Sequence, residues 1–206
     1  MNRLTDVVKH LIIINVIVFV AFELIFPQFK DSFAVLHMPW GATDLDGNSY
    51  FMPVQLVTHM FMHGGPTHLL FNMMGLFFLG PHIEQVLGKE RFLIFYLVCG
   101  FAAMGAHMLL SYIGFIPAAA VVGASGAIMG IFIAFAILFP NTKLMLLFPP
   151  IPVKAKYLMG ILVLFDVFSG VGGISTGIAH FAHLGGAFCG FIMMNLWGYF
   201  DAKRFL

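Results

Sequence analysis

The chain has 206 residues, of which 61% are hydrophobic and 9% charged, with a formal net charge of +1 and a mean hydropathy of +0.98. Soluble domains carry roughly 25% charged residues, so this composition excludes an ordinary soluble domain and points to an integral membrane protein. An overall charge of +1 implies no nucleic-acid partner. The lipid bilayer is the partner that the composition implies.

Six apolar stretches read as spans: residues 8–27, 66–87, 91–113, 124–139, 155–172 and 178–200. The expected fold class is therefore all-α and polytopic, a six-transmembrane-helix bundle in a single domain over 1–206. The first span has the apolarity of a signal peptide, but Glu23 interrupts it and no small-residue cleavage site follows, so it reads as a retained helix. After it comes the one long connection, about 28–65, which mixes Pro39, Gly41, Asp44, Asp46, Gly47 and Asn48 with apolar Phe33, Leu36, Phe51 and Val54. That mixture predicts a partly structured outer loop at the membrane interface, where Trp40 and Tyr50 fit.

Basic residues orient the bundle. Arg3 and Lys9 precede the first span, Lys89 and Arg91 join spans two and three, Lys143, Lys154 and Lys156 join four and five, and Lys203 and Arg204 follow the sixth. The alternate connections are nearly free of Lys and Arg, Lys30 being the main exception, which places both termini in the cytoplasm. Cys99 and Cys189 both fall inside apolar spans and read as small core residues rather than a disulfide.

Polar residues inside spans are costly, and their positions carry the functional reading. His68 and Asn72 in span two are four apart and share a helix face. One such residue alone reads as an interhelical hydrogen bond; two on one face favour a site. Span four is short, about 16 residues or roughly 24 Å of helix, against an apolar core of about 30 Å. Its start should lie below the outer surface, with the segment 116–123 descending to it as irregular backbone beside a water-accessible cavity. Ser125 stands at that start, in Gly123-Ala124-Ser125-Gly126, where helix N–H groups can donate to an anion. Gly126, Gly130 and Ala134 form a small-residue ridge that lets another helix approach. Span six supplies Ala179-His180-Phe181-Ala182-His183-Leu184-Gly185-Gly186, with His183, Gly186 and Gly190 on one face. Spans two, four and six all run inward from the outer side, so His68, Asn72, Ser125 and His183 converge at one depth. A serine paired with a histidine from another helix has the parts of a nucleophile and its base.

With these motifs in order on alternate spans, the chain resembles the rhomboid intramembrane serine proteases over about residues 50–200. The resemblance rests on His59-Met60-Phe61-Met62-His63, His68-Leu69-Leu70-Phe71-Asn72, Gly123-Ala124-Ser125-Gly126 and Ala182-His183-Leu184-Gly185-Gly186. It implies Ser125 as nucleophile and His183 as general base in a dyad without an acidic third member. By the same resemblance the Ser125 N–H, His68 and Asn72 form the oxyanion hole. Transmembrane proteins are the implied substrates, and the expected depth of Ser125 places the cut near the outer end of a span. Compactness and the absence of targeting extensions favour a membrane of bacterial plasma type. Two positions depart from the family's pattern: Val54-Gln55 stands where Trp-Arg is frequent, and Met129 where an aromatic residue often follows the serine by one turn. Glu84, Gly88 and Arg91 match a pattern that reads as structural, and His59, His63 and His180 read as hydrogen-bonded supports.

The rival chemistries are weaker. No His-Glu-x-x-His motif and no acidic residue beside the histidines suggests zinc, so neither metal nor cofactor is expected. Asp166 in span five could serve an aspartyl protease, but no convincing second carboxylate stands beside it among the core helices, and it reads as a packing or loop-anchoring group. A catalytically inactive rhomboid-like chaperone, or a transporter lined by these polar groups, completes the alternatives.

Overall fold

The computed structural model describes residues 4–29, 52–117, 119, 121–146, 149–173 and 178–200. Arg3, Lys30, Trp40, Tyr50, Lys203 and Arg204, on which part of the orientation and interface reading rests, lie outside the described residues.

Helix α1 (Asp6–Val20) runs on through a π-helical turn (Ala21–Ile25) and a short 3-10 turn (Pro27–Phe29). The described part of the outer loop holds a single-turn helix, α2 (Gln55–Thr58), and a 3-10 turn (His59–Phe61). Then follow α3 (Pro66–Leu87), α4 (Lys89–Tyr112), α5 (Ser125–Leu138), α6 (Ala155–Val171) and α7 (His180–Leu196). The long helices therefore coincide with the expected apolar stretches to within a few residues. Two of them, Asp6–Ile25 and Lys89–Tyr112, are long and apolar enough to cross a membrane by length and composition, and Ser125–Leu138 is a shorter apolar helix. The chain departs from all-α at one place. Strands β1 (Lys143–Met145) and β2 (Pro152–Lys154) pair antiparallel in the α5–α6 connection, with Lys143 opposite Lys154 and Leu144 opposite Val153. The Ala155 N–H donates to the Thr142 carbonyl at 2.9 Å and ties the start of α6 to the base of this hairpin.

Two devices at the basic end hold the bundle. A single residue, Gly88, joins α3 to α4, and its φ of +80° is one that a side chain would strain. Glu84, buried in the last turn of α3, accepts from the N–H groups of Val7 at 3.1 Å and Val8 at 2.9 Å. A carboxylate thus caps the first turn of α1, satisfying donors that the helix leaves free and complementing its dipole. The structural reading of Glu84 and Gly88 finds its physical cause here.

Helix α5 sits at the centre. Residues Gly126 to Ile131 are all buried, while α6 leaves Tyr157, Ile161, Leu164, Phe165 and Phe168 exposed, and α3 leaves Phe71, Phe77 and Phe78 exposed. An outer surface this rich in large apolar side chains suits lipid rather than water. Inside, helices meet at glycines. A Cβ on Gly186 would overlap the carbonyl of Gly126, and one on Gly190 would stand 2.8 Å from Gly130 Cα. The backbones of α5 and α7 are therefore in direct contact at two successive turns. The ridge expectation needs one correction. A side chain on Gly126 itself would strike Ala103 of α4, so Gly186 and Gly190 permit the α5–α7 approach, while Gly126 admits α4.

Candidate active site

The site is assembled from the loop before α3 upward. Met60 projects from the 3-10 turn into the space that Gly100 leaves on α4, pinning this loop to the bundle. Nδ1 of His59 bonds the Gln55 carbonyl at 2.8 Å, and the His59 carbonyl in turn accepts from the Gly123 N–H at 2.8 Å. His59 thus supports the descending strand of backbone that delivers Ser125. Gly123 holds φ +118°, and a Cβ there would lie 2.9 Å from both Cε1 and Nε2 of His68 and 3.8 Å from Asn72 Nδ2. Glycine is required at this position for conformation and for space alike.

These contacts place the Nε2 edge of His68 and the amide of Asn72 against the backbone two residues before Ser125. The tautomer of His68 follows from its other nitrogen. Nδ1 lies 3.3 Å from the Gly64 N–H and accepts from it, so in the neutral ring the proton sits on Nε2, facing Gly123. Asn72 is buried, and its Nδ2 has no hydrogen-bond partner among the described residues. A buried amide donor left open is costly in a finished structure. It is what a site awaiting an oxygen acceptor would present.

Ser125 is the first residue of α5 and is half-buried. The Ile128 N–H donates to the Ala124 carbonyl at 3.0 Å, so the N–H groups of Ser125, Gly126 and Ala127 precede the first intrahelical bond. On the facing helix, the Ala182 carbonyl lies 3.6 Å from the Cβ position of Gly126. Residues Ser125–Gly126 and Ala182–Gly186 are thus opposed turns of two touching helices, and His183 belongs to the second. No hydrogen bond joins Ser125 to His183 among the described residues, and His183 instead directs Nδ1 to Asp166 Oδ2 at 3.3 Å. The other carboxylate oxygen, Oδ1, lies 2.6 Å from Nδ1 of His180.

This overturns two expectations. An acidic residue does accompany the histidines, and Asp166 is more than a packing group: it is buried between two imidazoles. The signal was present in the chain. A carboxylate in an apolar span must find a partner, and the donors available in the next span were His180 and His183, one helical turn apart. The supporting role holds for His59 and His180 but not for His63. Neither ring nitrogen of His63 has a partner among the described residues, and its ring meets that of His68 edge-on, 5.1 Å between centroids at 72°. Burial first, and the neighbouring His68 second, push His63 down to about 4, which keeps it neutral. His107 of α4 was missed altogether. It is buried with neither ring nitrogen bonded among the described residues, and it continues the face of Ala103 that meets Gly126. Met129 is buried in α5 and Gln55 in α2. Both cysteines are free thiols.

Comparison with known proteins gives the family. Residues 51–200 match the model of the Rhomboid domain family. Rhomboid protease AarA of Providencia stuartii is 29% identical over 201 residues, covering 87% of this chain and 68% of that protein. YdcA of Bacillus subtilis (strain 168), provisionally named a rhomboid protease, is 41% identical over 92 residues, 42% of this chain and 43% of its own length. RHOMBOID-like protein 7 of Arabidopsis thaliana is 33% identical over 139 residues, 68% of this chain and 41% of its own length. The chain thus spans less than half of two of these relatives. A family match over the stretch that contains every element of the site, on a helical bundle with an apolar outer surface, places this chain in the rhomboid family of integral membrane proteins.

Proposed function

We propose that the chain is an intramembrane serine endopeptidase in which Ser125 is the nucleophile and His183 its general base and acid. One observation carries the reading: the backbone contact of Gly126 with Gly186 sets the start of α5 against the turn of His183, while the Nε2 edge of His68 and the open amide of Asn72 lie against Gly123. Family membership supports protease activity at the coarser level.

The chemistry follows from these groups. Nε2 of His183 takes the Ser125 Oγ proton as Oγ attacks a peptide carbonyl, and the carbonyl electrons become the oxyanion. Asn72 Nδ2, the Nε2–H of His68 and the Ser125 N–H donate to that oxyanion, each worth about 2.7–4 kcal/mol in comparable sites. Collapse breaks the C–N bond, and His183 protonates the departing amine. Water, activated by the same imidazole, then hydrolyses the acyl-enzyme. The six apolar helices would span the membrane with both termini on the cytoplasmic side, in a bacterial plasma membrane. Ser125 would then lie below the outer surface, and transmembrane substrates would be cut near the outer end of their span after local unwinding, because a helix hides its carbonyls in internal hydrogen bonds.

The test is labelling of the folded protein with a serine-reactive fluorophosphonate. The expected result is one labelled residue, Ser125, with no label after heat denaturation or in Ser125→Ala. Cleavage of a single-span substrate should map near its outer end and slow when helix-weakening residues there become Leu. A folded Ser125→Ala that still cleaves would defeat the assignment, and an unlabelled wild type that cleaves nothing would favour the inactive rhomboid-like chaperone.

A further inference from the structure

Among the described residues the Asp166 carboxylate is the charged group that reaches the candidate base, and the functional reading above leaves it unused. It is 3% exposed, on the face of α6 turned toward α7 with Met159 and Ser169, and each of its oxygens is directed at a different imidazole. We propose that Asp166 is the positioning residue of His183, with His180 as the clamp that holds the carboxylate in place; the inference rests on the reading of Ser125 and His183 as the reacting pair.

An ionised carboxylate has no proton to give and can only accept. Both Nδ1 atoms facing it must therefore be protonated. In neutral His183 the lone pair then belongs to Nε2, the nitrogen that has to take the serine proton, so the Asp166 contact selects the reactive tautomer and fixes the ring's aim. When His183 becomes imidazolium during attack, Asp166 is the counter-charge already in place, and the 3.3 Å contact tightens to a charge-assisted bond. His180 does different work. Its 2.6 Å bond to Oδ1, buried and braced by Phe165 edge-on at 5.6 Å, sets the carboxylate rotamer so that Oδ2 points to His183. A plain tether between α6 and α7 needs only one of these bonds, and His180 already provides it. The second oxygen is spent on the base.

In shape this is a three-membered relay whose carboxylate comes from a helix next to that of the histidine. Its demand on Asp166 is directional as well as electrostatic. Asparagine matches the volume but presents an N–H to one imidazole, which drives that ring toward the wrong tautomer. Glutamate keeps the charge but moves it by a methylene.

The experiment uses the full chain in lipid nanodiscs, with ring-15N histidine and assignment by a His183→Gln control. In the wild type, His183 should show the Nδ1–H tautomer, with the His180 Nδ1–H signal far downfield. Asp166→Asn should lower kcat about 10²–10⁴-fold, leave KM within about threefold, and convert His183 largely to the Nε2–H form. Asp166→Glu should recover part of kcat and of the tautomer. A folded Asp166→Asn with wild-type kcat and unchanged tautomer overturns the proposal. So does a wild-type His183 carrying its proton on Nε2, a measurement that stands even if every Asp166 variant misfolds. An inactive, unlabelled wild type with His183 in the Nδ1–H form would defeat the functional reading while supporting the positioning, so the two can fail separately.

Discussion

Helix α7 is held on two sides by different physics. Against α5 the contact is steric: Gly186 and Gly190 bring backbone onto backbone with no room for a methyl group. Against α6 it is directional: Asp166 reaches across to His180 and His183 while much of α6 keeps its apolar side chains exposed. The first junction fixes the distance between the nucleophile's helix and the base's helix. The second fixes which way the base faces. A steric contact is insensitive to charge and intolerant of volume, and a carboxylate–imidazole contact is the reverse.

The largest effect should come from the reacting pair itself. Ser125→Ala, His183→Ala and the double variant should each lose about 10⁴–10⁶-fold in kcat, to nearly the same floor, because the two groups act as one unit. Ser125→Ala should stay close to wild type in thermal stability, its side chain being partly exposed, while His183→Ala also gives up the Asp166 contact and should lose a little stability. Additive losses in the double variant, measured on a purified single-span substrate, would mean that the two residues do not share a step.

Next comes Asn72→Ala, which removes an amide whose Nδ2 has no partner among the described residues. Nothing is left unpaired by its loss, so stability should hold or rise slightly. The oxyanion loses a donor, so kcat should fall by about 10²–10³-fold with KM little changed. A stability loss above about 2 kcal/mol would show that Asn72 is structural, and the reading of its open amide would fail.

How much of this was legible in the chain separates along the same line as the two junctions. The six long helices appear as apolar stretches because segment hydropathy is a local property of the sequence, and their ends fall within a few residues of the expected ones. The α5–α7 contact was legible in part because close packing leaves a periodic mark, small residues at every fourth position. That mark does not say which neighbour each glycine admits, so the facing of Gly126 toward Ala103 of α4 could not be read from it. The α6–α7 contact was legible only as a need: a carboxylate in an apolar span must find a partner, but the sequence does not pair it. Asp166 lies 14 residues from His180 and 17 from His183, and no local pattern joins them. His63 and His107 were misread or missed for a related reason: motif spacing cannot reveal that both are buried without hydrogen-bond partners among the described residues. The β1–β2 hairpin escaped because three-residue strands are too short to show alternation.

The steric junction itself can be broken by one methyl group. In Gly186→Ala the added Cβ overlaps the Gly126 carbonyl, which is backbone and cannot swing aside as a flexible side chain could. The two helices must separate, at a cost of about 1–3 kcal/mol or more by the measure of other overpacked sites. Stability and kcat should fall together, since the separation also withdraws His183 from Ser125. Retained activity at a lowered melting temperature would show that the site tolerates the shift and that the junction serves stability alone.

The smallest expected effect sharpens the comparison most. Gly160 is also a mid-helix glycine, in α6, but it is exposed and a Cβ there meets nothing within 4 Å. With no clash to offset it, alanine should gain what glycine loses in backbone freedom, about 0.5–1 kcal/mol. Gly160→Ala should therefore be neutral to slightly stabilising, with kcat unchanged, because neither the Asp166 contacts nor the α5–α7 approach depends on that position. The pair Gly160→Ala and Gly186→Ala adds the same atom to two helices of the same bundle. If both lowered the melting temperature equally, the exposed face of α6 would have to be packed against something as rigid as the α5 backbone, and the division between a steric and a directional junction would not survive. Opposite signs, read in one thermal-shift series with the substrate assay alongside, are the outcome that the geometry requires.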